Sequence, residues 1–307
     1  MKRGRLRGLT LAVQMVVVAV VFYFLARTVT DLWPQISAIE WHIDPLLFAV
    51  SVLLGLLGQC LLIVGWRLAL RLVGAQISWA GAIESQAIGQ LAKYAPGKVL
   101  TLIGKVYLAG RAGVPEAQAT LAMFIEVATL TLTGLIVGLG YALQVVSPAR
   151  LAAAGVLLLA GAAMVLHPSV LPRAINGALR LLRRPTAEFR YQWRAAIPLL
   201  ACYLGLWLVW GVGVWLLAAG LGLEAPVAPL VSGNALAWVA GFLSFIFPGG
   251  LGVREYVLAR LLSASTPGVA MGVALVSRAW LLGAEVVWGL GAWVGRLATR
   301  RPRAEEG

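Results

Sequence analysis

Ten ionisable side chains lie in otherwise apolar stretches of this sequence: Glu84, Lys93, Lys98, Lys105, Glu126, Arg254, Glu255, Arg260, Arg278 and Glu285. Charged groups at such positions are costly to bury and usually do work. Six of the ten are basic and four acidic, so the spare positive charge suits an anion. Two glycine-containing turns sharpen that reading. Lys93 precedes and Lys98 follows the turn Pro96-Gly97, and Arg254 and Glu255 follow the run Pro248-Gly249-Gly250-Leu251-Gly252 by less than two helical turns. Glycines there leave backbone N–H groups unshielded at the start of a helix, a natural cradle for phosphate. Arginine adds a forked contact to phosphate, and lysine a point charge. Lys93, Lys98, Arg254 and Glu255, with the Gly249, Gly250 and Gly252 amides, are therefore the candidate headgroup-binding residues. Pro96, Gly97 and Pro248 are the candidate turn formers.

Glu126, Arg278 and Glu285 are candidate coupling or gating groups. Glu126 either neutralises Arg278 or contacts a substrate, and Glu255 is placed to pair with a lysine near the first turn. Arg278 and Glu285 are seven residues apart on one helix face and can share partners. Lys105 and Arg260 are expected to snorkel toward an interface, and Glu84 to sit at one.

Other chemistries find little support. Gly97-Lys98 is followed by Val99, and the upstream spacing does not match GxxxxGK[ST]. Neither aspartate falls in an apolar span, so the acid clusters that hold Mg²⁺ are missing. A Ser/His/Asp set cannot be drawn. Cys60 and Cys202 lie far apart in apolar runs, which supports neither a disulfide nor a metal site. His42 and His167 sit at the ends of apolar segments, where an interfacial role is expected. No metal, no cofactor and no enzymatic activity are expected.

The elements that must carry these groups follow from composition. Of 307 residues, 61% are hydrophobic and 12% charged, and the mean hydropathy is +0.89. Soluble domains carry about 25% charged residues, so there is too little polar surface for a soluble enzyme, a disordered chain or a nucleic-acid-binding module. The pI near 10.7 reflects basic cytoplasmic loops. A spanning helix needs about 20 mostly apolar residues, which predicts spans at 9–26, 46–65, 118–145, 151–167, 196–220 and 269–297. The first follows Lys2, Arg3, Arg5 and Arg7 like a signal peptide, but no small-residue cleavage site follows it. It is read as a retained helix.

Regions 80–111 and 230–264 are apolar but broken in the middle by the two Pro-Gly turns. Each half is short for a span, so each region is read as a re-entrant hairpin, allowed only where protein or a wet cavity satisfies the broken backbone. With both termini in the cytoplasm and both hairpins returning to their own side, 17 of the 25 basic residues are cytoplasmic and two, Arg27 and Arg150, are outside. That matches the positive-inside rule.

The broken regions coincide at an offset of 152 residues. Pro96-Gly97 falls on Pro248-Gly249, Pro115 on Pro267, and Glu126 on Arg278, with a 19-residue Pro-to-Pro spacing in each half. The expected fold is all-α and integral to the membrane: an inverted-topology repeat of six transmembrane helices and two re-entrant helical hairpins, the architecture of alternating access. Residues 1–167 hold the first repeat and the first span of the second. A basic, amphipathic cytoplasmic linker follows at 168–195, residues 196–297 complete the second repeat, and 298–307 form a cytoplasmic tail. Tryptophans such as Trp33, Trp41, Trp66, Trp79 and Trp193 are expected to anchor at the membrane interface.

The runs Gly89-Gln-Leu-Ala-Lys-Tyr-Ala-Pro-Gly-Lys98 and Phe247-Pro-Gly-Gly-Leu-Gly-Val-Arg-Glu255 resemble the paired motifs of the lysylphosphatidylglycerol synthase transmembrane-domain family, the flippase-like proteins. The resemblance covers roughly residues 10–297. It implies a lipid-translocating module like the flippase half of the bacterial multiple peptide resistance factor. By motif match, Lys93, Pro96, Gly97, Lys98, Pro248, Gly249, Gly250, Gly252, Arg254 and Glu255 would line or shape the lipid path. The aminoacyl-transfer domain of the full-length resistance factor has no counterpart in this sequence, so synthesis of lysyl-lipid is not expected. The expected partners are anionic membrane lipids, a phospholipid or a polyprenyl-phosphate-linked glycolipid, together with a lipid-modifying synthase or glycosyltransferase. Nucleic acid is not among them. The expected location is a bacterial cytoplasmic (inner) membrane. A secondary transporter of a small anionic solute, a membrane-embedded transferase for lipid-linked sugars, and an accessory subunit are the competing classes.

Overall fold

The structure, a computed structural model, describes residues 43–91, 99–145, 193–223, 225–244, 252–261 and 267–299, with isolated positions elsewhere. These residues are helical and the helices begin and end where local chemistry dictates. Helix α1 (Pro45–Leu72) is capped by Asp44, whose Oδ1 accepts the Leu46 and Leu47 N–H groups at 2.9 and 3.0 Å, with Pro45 in the first turn. It ends where Gly74 takes a φ of 76°. The Gly74 and Ala75 N–H groups return to the Arg71 and Leu70 carbonyls, the double bond pattern that a left-handed glycine permits.

A first helix–break–helix unit follows. Helix α2 (Trp79–Ile83) is capped by Ser78, runs into a π turn (Glu84–Ile88), and continues as α3 (Gly89–Leu91). Beyond the break, α4 (Val99–Arg111) folds back against the π turn and α3. Helix α5 (Glu116–Val145) comes next. A 3₁₀ turn (Trp193–Ala196) leads into α6 (Ile197–Gly220). The second unit has α7 (Val227–Leu243) and α8 (Val253–Leu261) as contacting arms, and α9 (Pro267–Thr299) closes the described chain.

Four helices are long and apolar enough to cross a membrane: Pro45–Leu72, Glu116–Tyr141, Arg194–Gly220 and Ala270–Arg296. They correspond to the expected spans 46–65, 118–145, 196–220 and 269–297. Helix α1 runs seven residues past its expected end because Arg67 finds partners there. Its guanidinium donates to the Ile77 carbonyl at 3.2 and 3.3 Å and stacks over the Trp79 ring. The expected span 9–26, nearly all of 151–167, most of the linker 168–195 and residues 300–307 of the tail lie outside the described residues, whereas 298 and 299 continue α9.

The elements recur in order. Helices α1 and α6 start 152 residues apart, and α5 and α9 start 151 apart. The two halves interlock by exchange: α7 lies along α5, and the π turn with α3 lies along α9. Small residues set how closely they approach. A Cβ on Gly58 would meet the Trp210 ring, one on Gly65 the Tyr203 ring, and the Gly220 carbonyl accepts the Asp44 N–H at 2.7 Å. Positions rise along α1 as they fall along α6, so this pair is antiparallel. Likewise Gly134 faces Val239 and Gly140 faces Ser232, which makes α7 antiparallel to α5. At the other exchange, Leu91 touches Gly289 and Glu84 bridges to Arg296 at 3.0 Å.

The core centres on the α1–α6 seam, with Leu62, Trp66, Tyr203, Leu206 and Trp207 buried. Trp66 is therefore not the interfacial anchor its position suggested. It is fully buried because its indole N–H has a partner inside, Ser85 Oγ at 3.0 Å. Trp79 is 54% exposed.

Candidate functional site

Two buried charge clusters sit at equivalent places in the two halves. In the first, Lys105 on α4 reaches Glu126 on α5, its Nζ bonded to Glu126 Oε2. Both side chains are under 10% exposed. The ammonium also lies 3.9 Å from the centre of the Trp66 ring, whose electron-rich face attracts a cation. Trp66 is held in turn by Ser85 in the π turn, and Ser85 Oγ donates back to the Gly81 and Ala82 carbonyls. Such widened turns recur at functional positions. Four elements thus converge on one ion pair.

In the second cluster, Gly252 takes a φ of 81° at the head of α8. Its carbonyl accepts the Tyr256 N–H, the first bond of the helix. Its own N–H donates to Glu255 Oε2 at 2.8 Å, the reach-back half of a capping box. Glu255 is 2% exposed, and its Oε1 lies 3.6 Å from Arg278 Nη1 on α9. Arg254, 4% exposed, donates from Nη2 to Asn234 Oδ1 on α7 at 3.1 Å. One carboxylate therefore faces both the Arg278 guanidinium and the N-terminus of α8, which adds its own partial positive charge. The carboxylate of Glu255 stands where an oxyanion ligand of that helix end would stand.

The clusters mirror one another with charges exchanged. In the first half the cation is on the returning arm and the anion on the long helix. In the second half the anion is on the arm and the cation on the long helix. Glu126 and Arg278 occupy matched positions 152 residues apart, but they do not pair with each other. Glu126 takes Lys105, and Arg278 lies against Glu255. The reason is connectivity: each returning arm lies against the helix that follows it, so charges about 20 positions apart meet. Lys105 is accordingly buried and paired instead of snorkelling, whereas Arg260 is exposed. Glu285 is buried at 2% exposure on α9, and Glu84 is half-buried in its bridge to Arg296.

Gly252, Arg254 and Glu255 are brought together with Arg278. Lys93, Pro96, Gly97, Lys98, Pro248, Gly249 and Gly250 lie outside the described residues. Sequence reasoning missed Asn234, Ser85 and the role of Trp66. A polar residue inside a charge-free apolar arm was the available signal for Asn234.

A comparison with curated proteins finds no match. The family model for the lysylphosphatidylglycerol synthase TM region matches residues 11–289, a stretch that takes in both helix–break–helix units and both charge clusters. With that match over most of its length, the chain belongs to the lysylphosphatidylglycerol synthase TM region family.

Proposed function

We propose that this protein is a lipid translocase that moves an anionic phospholipid or polyprenyl-phosphate-linked glycolipid between leaflets by alternating access. The observation that carries the reading is the Arg254–Glu255–Arg278 cluster, a buried, net-positive group on a helix N-terminus within apolar surroundings. Helix ends of this kind take phosphate, and a lipid headgroup supplies one. Family membership supports a lipid-related role in the membrane.

Each cluster has a part in the cycle. A headgroup phosphate competes with Glu255 for the Gly252 amide and the Arg278 guanidinium, since a phosphate offers more charge and more acceptor oxygens than a carboxylate. Arg254, oriented by Asn234, supplies a second guanidinium. Release of Glu255 loosens α8 from α9. Lys105 and Glu126 hold the corresponding arm of the other half closed until the lipid leaves. The antiparallel run of α1 and α6, matched elements of the two halves, supports an inverted repeat with two re-entrant units among six spans. Bunched basic residues support a cytoplasmic placement of both termini. The work is transport without a covalent step.

Reconstitution into liposomes with a fluorescent phospholipid and a membrane-impermeant quencher tests this. Wild-type protein is expected to expose inner-leaflet probe to the quencher, and Arg254→Ala to abolish the movement at equal expression. Unchanged lipid movement in Arg254→Ala refutes the assignment. Uptake of a soluble anion without lipid movement refutes the lipid as cargo.

A further inference from the structure

A cavity of about 450 Å³ opens at the far end of α1, lined by Arg67, Arg71, Gly74, Ala75, Gln76 and Ile77. Its lining holds two cations and no carboxylate. Arg67 and Arg71 are four apart on one helix face, so their guanidinium groups address the same space. Arg67 is fixed in advance. Its Nε and Nη2 donate to the Ile77 carbonyl, and the guanidinium carbon lies 3.7 Å from the Trp79 ring centre. Among the described residues Arg67 Nη1 has no protein acceptor, so one edge of a rigid fork is left for a ligand. Arg71 is exposed and free to close on it. The exposed Trp79 beside it belongs at the membrane–water boundary, the level at which headgroup phosphates lie.

We infer that this cavity is a second anion site, separate from the central cluster, which takes a phosphate monoester or diester between Arg67 and Arg71. The Gln76 side chain lies on its rim to serve the ester oxygens. Like-charged guanidinium groups that share a cavity repel one another, and a phosphate relieves that repulsion while using both forks. The site does not depend on the translocase reading, because none of its residues belongs to the buried clusters.

Native mass spectrometry of the purified full chain, titrated separately with short-chain phosphatidylglycerol and with glycerol 3-phosphate, tests the site. Wild-type protein is expected to carry one more bound phosphate compound than Arg71→Gln, whose affinity at that site falls about tenfold, the loss of one charge-assisted contact. Arg71→Lys is expected to fall between them. Arg254→Gln is expected to keep this site, so failure here and failure of the central cluster are separable. Uptake of the lipid alone assigns a membrane headgroup, and uptake of both probes assigns phosphate from either side. Equal stoichiometry and affinity in wild type and Arg71→Gln overturn the inference. So does an equal loss in Arg111→Gln, which removes an exposed arginine outside the cavity.

Discussion

The Lys105–Glu126 pair allows a test with a calculable size. Replacing Lys105 by Met keeps the length of the side chain and removes the charge. Glu126 is 4% exposed, so its carboxylate is then left buried without its cation, a state that costs about 3–5 kcal/mol when a buried pair is broken from one side. That is roughly two to nearly four powers of ten in the folded-to-unfolded ratio. Glu126→Gln is expected to cost less. Lys105 keeps the Trp66 ring 3.9 Å from its ammonium, and a desolvated cation–π contact returns about 2 kcal/mol. The double variant K105M/E126Q removes both charges and is expected to lie within about 1 kcal/mol of wild type, since a buried pair is often replaceable without loss. The assay is detergent-extracted thermostability read by size-exclusion fluorescence, arranged as a double-mutant cycle. The expected order of stability is wild type and the double variant together, then E126Q, then K105M. Additive losses in the double variant, or a K105M cost below about 1 kcal/mol, would show that the two groups do not hold each other and would remove the gate from the proposed cycle.

Two further outcomes follow from close contacts. Gly211→Ala places a Cβ 2.7 Å from the Val231 Cα. Backbone cannot yield as a flexible side chain does, so α6 and α7 must separate, and thermostability is expected to fall by several degrees, checked by the same melt. Gly252→Ala meets no neighbour within 4 Å but must hold a φ of 81°, a strain of about 1–2 kcal/mol. It is expected to leave expression intact and to slow lipid movement in the liposome assay through a weakened α8 cap.

Much of the architecture was legible in the chain. Apolar runs of spanning length located the four long helices found among the described residues, because a backbone in hydrocarbon must bond within its own segment. Glycines at 74, 113, 222 and 252 supplied the positive φ angles that end or begin helices. Several charges in apolar stretches were legible as groups needing burial, and Lys105, Glu126, Arg254, Glu255 and Glu285 are buried. Their partners were not legible. Symmetry along the sequence drew Glu126 toward Arg278, since the two fall on matched positions. In space, Glu126 meets the arm that returns just before its own helix, and α7, its neighbour from the other half, carries no ionisable residue at all. Trp66 reads like any interfacial tryptophan until Ser85, nineteen positions away, is seen accepting its N–H. Periodicity and breakers belong to the backbone and are written locally; which cation neutralises which anion depends on how the helices cross, and only the assembled fold decides that.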